Sequence, residues 1–192
     1  MKNPKYFSFK ITEHMGKKYS KKSGDFNKIH LNDKVGYNSI FGQKICHGNL
    51  IVEKIFKKIN FNKLNFKNCT INFYSAFFYK EKISCFCALD KKNSIFNIKI
   101  FQAGYLKSTL QFENQINDFD NIKKYRKKSK LKKGKYDIFL LLESISHYVG
   151  MIYPGEKSLI LNIKISKNSH SSQKFENDTL YSYKPKKHIP II

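Results

Sequence analysis

Three polar groups crowd into six positions of the stretch SGDFNKIHLNDKVGYNSIFGQKICHGNL, which runs from Ser23 to Leu50: Asp25, Asn27 and His30. Further on, His47 and Gly48 open an apolar run. A carboxylate and an imidazole this close on a bent loop can both reach one water molecule and activate it by general acid and base action. A glycine at a helix N-terminus offers an unhindered N–H, and the favourable end of the helix dipole, to a carbonyl oxygen on which charge develops. Each group also has a plainer use. Asp25 can cap the turn after Gly24, and His30 can be a hydrogen-bonded structural histidine. The set, taken together, favours chemistry.

SGDFNKIHLN followed by FGQKICHGNL resembles the signature of the MaoC-like dehydratases, the (R)-specific enoyl-CoA hydratase branch of the hotdog fold. There D-F-N-P-x-H is followed by H-G-x-L at the start of the central helix. The resemblance covers about residues 6 to 114. It implies an α+β hotdog fold, an antiparallel sheet wrapped around a central helix. It also implies a hydro-lyase that adds water to, or removes it from, a 2-enoyl or 3-hydroxyacyl thioester. Asp25 and His30 match the family's catalytic pair, and Gly48 matches the glycine whose backbone N–H polarises the thioester carbonyl. Asn27, His47 and Asn49 are assigned to substrate binding, with Asn27 shaping the loop and His47 fixing the helix entrance. Lys28 stands where the family usually has proline, which loosens the loop without removing a reacting group. No metal or other cofactor is expected; coenzyme A or acyl carrier protein enters as part of the substrate.

The elements that must hold this set in place can be read from periodicity. YFSFKI is a short alternating strand, Thr12 is an N-cap for a basic helix through about Lys22, and Gly24 breaks that helix. Asp25 to Lys44 reads as turns and short helices. From Gly48, the residues Leu50, Ile51, Val52, Ile55, Phe56 and Ile59 recur at helical offsets, which predicts a helix with a wide buried face. CTINFYSAFFY, KISCFCALD, SIFNIKIFQAG and YLKSTLQFE read as four strands. The lysine-rich run from Lys123 to Lys135 repels itself and reads as an exposed linker. YDIFLLLESISHYVGMIYPG then reads as an apolar helix and KSLILNIKIS as a strand, before a polar tail. The expected organisation is a hotdog domain over 1–118, a basic linker over 119–135, and a partial second hotdog-like segment over 136–192. That segment is the candidate pairing half, so either a pseudo-dimer within the chain or a homodimer is expected.

Composition bounds the remaining classes. The 192 residues are 41% hydrophobic and 15% aromatic, enough for one good core and unlike a disordered chain. The net charge of +23 raises the possibility of a nucleic-acid partner, but the charge is diffuse and lysine-dominated, and over-use of residues with AT-rich codons explains much of it. Nucleic acid is therefore not the expected partner, and a non-catalytic acyl-thioester-binding or pairing subunit is the main alternative to an enzyme. Cys46, Cys69, Cys85 and Cys87 form no CxxC pair and read as core thiols. No signal peptide and no membrane span is expected, which makes the cytoplasm the default compartment.

Overall fold

The computed structural model describes residues 5–59, 66–90, 92–114, 138–152, 155 and 159–166. Strand β1 (Lys5–Lys10) leads into helix α1 (Glu13–Ser23), the short helices α2 (Lys28–Leu31) and α3 (Asp33–Tyr37), and then α4 (Gly48–Ile59). Strands β2 (Phe66–Phe73), β3 (Lys82–Asp90), β4 (Ile95–Gln102) and β5 (Tyr105–Asn114) follow. After them come α5 (Ile138–His147), a π-helical turn (Tyr148–Ile152) and β6 (Asn162–Ser166). The strands form one antiparallel sheet in the order β1-β3-β4-β5-β2-β6.

The α+β architecture expected from periodicity is the one observed. Side chains alternate across a strand, so register decides which residues meet on the inner face. Cys87 lies opposite Ile98, Ile98 opposite Leu110, and Ile71 opposite both Leu110 and Ile163, giving an apolar row across five strands. All five of these side chains are buried. Helix α4 covers the rows with Leu50, Ile51, Val52, Ile55 and Phe56, which are buried in the same cluster. Burial of each such side chain contributes about 1.5–3 kcal/mol, so this helix is held by its stripe more than by its propensity. All four cysteines are free and buried, with Cys85 and Cys87 on the inner face. Burial raises the Cys85 thiol to about 12, which leaves it an inert apolar filler.

CTINFYSAFFY does not run as one strand. The sheet part stops at Phe73, whose N–H donates to the Leu161 carbonyl at 2.8 Å. The chain then leaves the sheet to support the entrance of α4. Cys46 N donates to the Phe77 carbonyl at 2.7 Å, and the Gln102 amide holds both the N–H and the carbonyl of Phe78 at 2.8 Å. Alternation alone cannot report such a departure, because backbone partners decide it.

The described part of the C-terminal segment joins the core of the first region. β6 pairs with β2 as the sixth strand, and Leu142 and Ile138 of α5 are buried in the main cluster. The predicted helix holds to His147 and then widens into the π-helical turn. The expected boundaries at 118/119 and 135/136, the basic run and the tail from 167 lie outside the described residues. Among the described residues, no helix is long and apolar enough to cross a membrane.

Candidate active site

Helix α1 sets the position of the polar stretch. Thr12 caps it as the sequence predicts, its Oγ1 accepting from Met15 N at 3.3 Å, and Gly24 ends it in the left-handed region at φ +74°. Glycine is the residue that enters this region without strain. The reversal carries the chain straight into Asp25, which is 3% exposed. Asp25 Oδ1 accepts from Asn27 N at 3.1 Å, and Asn27 Oδ1 in turn accepts from Ile29 N at 3.3 Å, capping α2. The turn-capping use of Asp25 is therefore real, and it also fixes the carboxylate. Short helix α2 then presents His30 from the same side.

Asp25, His30 and His47 converge. One nitrogen or oxygen atom from each lies within 4.8 Å of the others, and all three residues are buried. The His30 and His47 rings sit 3.9 Å apart, centroid to centroid. His30 Nδ1 donates to the Ile45 carbonyl at 3.0 Å, which leaves Nε2 as the lone-pair nitrogen. Burial lowers the pKa of His30, opposed by the neighbouring Asp25 charge and by the Ile45 carbonyl. His47 Nε2 lies 3.2 Å from Ser20 Oγ and 3.4 Å from the Asp25 carbonyl oxygen, while its Nδ1 is buried with no hydrogen-bond partner among the described residues. Burial first, and the adjacent His30 second, push its pKa down to about 2. Both imidazoles are thus neutral at physiological pH.

The other predicted residues have mixed placements. Gly48 is the first residue of α4, half-buried, and a Cβ there would come within 2.9 Å of the Phe73 ring. A side chain at this helix entrance would require the Phe73 ring to shift. Asn49, assigned to substrate binding, ties two helices together: its Nδ2 donates to the Leu142 carbonyl at 2.9 Å. Its Oδ1 and Asn27 Nδ2 are both buried without a partner among the described residues. Buried polar atoms are rarely left unmatched, so these two atoms, His47 Nδ1 and the Tyr19 hydroxyl are the positions from which a water or a polar ligand group would be bonded. Asp25, His30 and His47 could also gather around a small cation, two imidazoles and a carboxylate being a suitable donor set.

Four further contributors carry no role assigned from the sequence. Ser146 Oγ donates to Asp25 Oδ2 at 2.7 Å, and His147 Nδ1 donates to the Gly24 carbonyl at 2.8 Å. Gly150, in the π-helical turn, lies so close that a Cβ on it would sit 2.3 Å from Asp25 Oδ1. Tyr19 packs its ring 5.2 Å from that of His47 and keeps a buried hydroxyl whose pKa burial raises. Sequence did carry a signal in SHYVGMIYPG, where Ser146, His147 and Gly150 interrupt an apolar helix. Nothing in it says which residue they would meet.

No protein-family model and no curated protein matches this sequence. Solved structures do. R-hydratase PhaJ1 from Pseudomonas aeruginosa matches at a TM-score of 0.50 and 18% identity, over 57% of this chain and 77% of that one. HtdX of Mycobacterium tuberculosis matches at a TM-score of 0.52 and 17% identity, over 59% of this chain and 48% of that one. This likeness, together with the antiparallel sheet packed around α4, shows that the chain has the α+β hotdog fold.

Proposed function

We propose that the protein is a hydro-lyase that adds water to a 2-enoyl thioester, or removes it from a 3-hydroxyacyl thioester, with Asp25 and His30 as the catalytic pair. The observation that carries the reading is the convergence of two buried groups, a carboxylate oxygen of Asp25 and a ring nitrogen of His30, within 4.8 Å of each other. A single water with hydrogen bonds of about 2.8 Å to each bridges such a span. The Asp25 carboxylate and a neutral imidazole both accept, so one water can direct its two O–H bonds at them and keep an oxygen lone pair for attack. As that oxygen bonds to the β-carbon, the π electrons move through the α-carbon onto the thioester oxygen and one water proton passes to the pair. The α-carbon of the enolate then takes a proton from the pair, so one water is added across the double bond. Dehydration is the reverse. The Gly48 N–H, at the positive end of α4, is the donor for the enolate oxygen. The chemistry calls on no cofactor, and coenzyme A or acyl carrier protein is the carrier on the substrate.

The C-terminal segment completes this site within one chain. α5 and the π-helical turn reach Asp25, and β6 occupies the outer edge of β2 where another strand would otherwise pair. On this reading the protein works in the cytoplasm, as a pseudo-dimer within the chain or as a homodimer.

Hydration of crotonyl-CoA, followed as loss of the conjugated thioester absorbance, tests the reaction. Asp25→Asn and His30→Ala should each lower kcat by about 10²–10⁴-fold and leave the fold intact. Wild-type turnover in either variant would sink the assignment. Thioester binding without turnover would favour the non-catalytic binding subunit, and loss of turnover on dialysis against a chelator would favour a metal at Asp25, His30 and His47.

A further inference from the structure

We propose that Ser146 is a positioning residue for Asp25, its hydroxyl holding the carboxylate in the orientation from which it acts on water. The inference rests on the hydro-lyase reading of Asp25 and extends the working parts of the site to a helix more than a hundred residues away. Ser146 Oγ donates to Asp25 Oδ2 at 2.7 Å, and each residue is 3% exposed. Such a length is that of a charge-assisted hydrogen bond.

Rotation of the carboxylate is restrained at both oxygens. Oδ1 accepts from Asn27 N, and Gly150 lies against it with no space for a Cβ. Oδ2 is held by Ser146. A carboxylate offers about four lone-pair directions, so these two bonds leave acceptor capacity for a water.

Ser146 is itself placed with care. A serine inside a helix commonly bonds back to the carbonyl four residues earlier. Here that carbonyl belongs to Leu142 and accepts from Asn49 Nδ2 of α4, while the Ser146 hydroxyl turns to Asp25. The next residue, His147, donates to the Gly24 carbonyl, immediately before Asp25 in the chain. One face of α5 is therefore fastened to the central helix at Leu142 and to the reactive loop at His147, with Ser146 between them.

The test uses the full chain, steady-state turnover of crotonyl-CoA, and the carboxyl ¹³C resonance of Asp25, assigned by its loss in Asp25→Asn. Small misplacements of a reacting group cost up to about 10²-fold, so Ser146→Ala should lower kcat by about 10–100-fold with KM changed less than about twofold. The Asp25 resonance should move, and Ser146→Thr, which keeps a hydroxyl, should restore kcat and return the resonance. If Ser146→Ala does not fold, Ser146→Cys, which keeps the volume and weakens the donor, carries the same expectation. Unchanged kcat in the folded variant overturns the proposal, as does a loss that Ser146→Thr fails to rescue. If the parent chain does not hydrate crotonyl-CoA, the hydro-lyase reading fails first. The Asp25 resonance then decides separately whether Ser146 holds the carboxylate, and an unmoved resonance overturns that as well.

Discussion

Two regions meet at Asp25, and they contribute different things. The segment from Gly24 to His30 supplies the groups that can react, and it does so locally: a glycine stop, an Asx-type cap and a one-turn helix set Asp25 and His30 within a few residues of each other. The segment from Ile138 to Ile152 supplies groups that restrain, and every one of them acts at long range. Phe26 N even donates to the Met151 thioether at 3.2 Å, so the two segments are joined on both sides of Asp25. The lesson is that a buried carboxylate beside two neutral imidazoles needs a second element to hold it, because its own loop can satisfy only one of its oxygens.

The largest effect should come from removing the second region altogether. Truncation after Asn121 deletes α5, the π-helical turn and β6, baring the faces of α1 and α4 that Leu142 and Ile138 cover and the outer edge of β2. Exposed apolar faces and an open strand edge both favour association. The truncated chain should aggregate or dimerise and should have no turnover, as size-exclusion chromatography and the crotonyl-CoA assay would report. A soluble, active, monomeric fragment would dissolve the comparison, leaving the first region sufficient on its own.

A smaller perturbation asks how strongly the second region is attached. Leu142 is fully buried between α5 and the core, and Leu142→Ala leaves a cavity there. Such truncations cost about 2–5 kcal/mol. Denaturant unfolding should show a loss in that range in a single transition. A loss under about 1 kcal/mol, or a separate early transition, would mean that α5 is an appendage with its own stability.

Legibility follows the same division between local and distant. The pattern of α4 and the alternation in β3 to β5 report the core because periodicity is a local property and burial follows from it. Thr12 and Gly24 are legible for the same reason, each being a backbone rule at one position. Asp25 and His30 could be picked out because five residues of sequence keep them close in space. The roles of Ser146 and Gly150 could not be assigned, since their meaning lies in a contact with a residue over a hundred positions earlier. The second use of Asn49 was hidden for a related reason: its place beside Gly48 suggests a ligand, and only the fold shows that its Nδ2 also donates to the Leu142 carbonyl. β2 stops at Phe73 because Phe77 and Phe78 bond instead to Cys46 and Gln102, and neither partner is visible from the strand itself.

Acidification should weaken the meeting point of the two regions. His30 and His47 are held neutral by burial, so their folded pKa values lie below the ordinary 6.5. As pH falls, the unfolded chain takes up these protons first. Stability is therefore complete above about pH 6.5 and declines below it, by up to about 1.4 kcal/mol per pH unit for each histidine that stays neutral in the fold. His47, pushed to about 2, should contribute across the whole range from pH 6 to pH 4. The check is unfolding free energy against pH for the parent and for His47→Gln. The variant should show the shallower slope, and equal slopes would show that His47 is not a buried neutral group.

The smallest effect concerns the residues between the two regions. Lys123, Lys124, Arg126, Lys127, Lys128, Lys130, Lys132, Lys133 and Lys135 form a run of one sign, which the sequence reads as an exposed linker. Isolated exposed charges are worth about 0–1 kcal/mol even when paired, and salt screens them. Replacing four or five of these lysines with serine should leave the melting temperature within about 2 °C and the turnover of crotonyl-CoA unchanged, because the second region is fastened through Leu142, Ser146 and His147 and not through the run that leads to it. A large drop in melting temperature would place the run inside the packed structure and move the expected boundary between the regions. A loss of turnover at constant stability would instead point to the lysines as contacts for the phosphates of the acyl carrier, and would make the connection between the two regions a third contributor to the site.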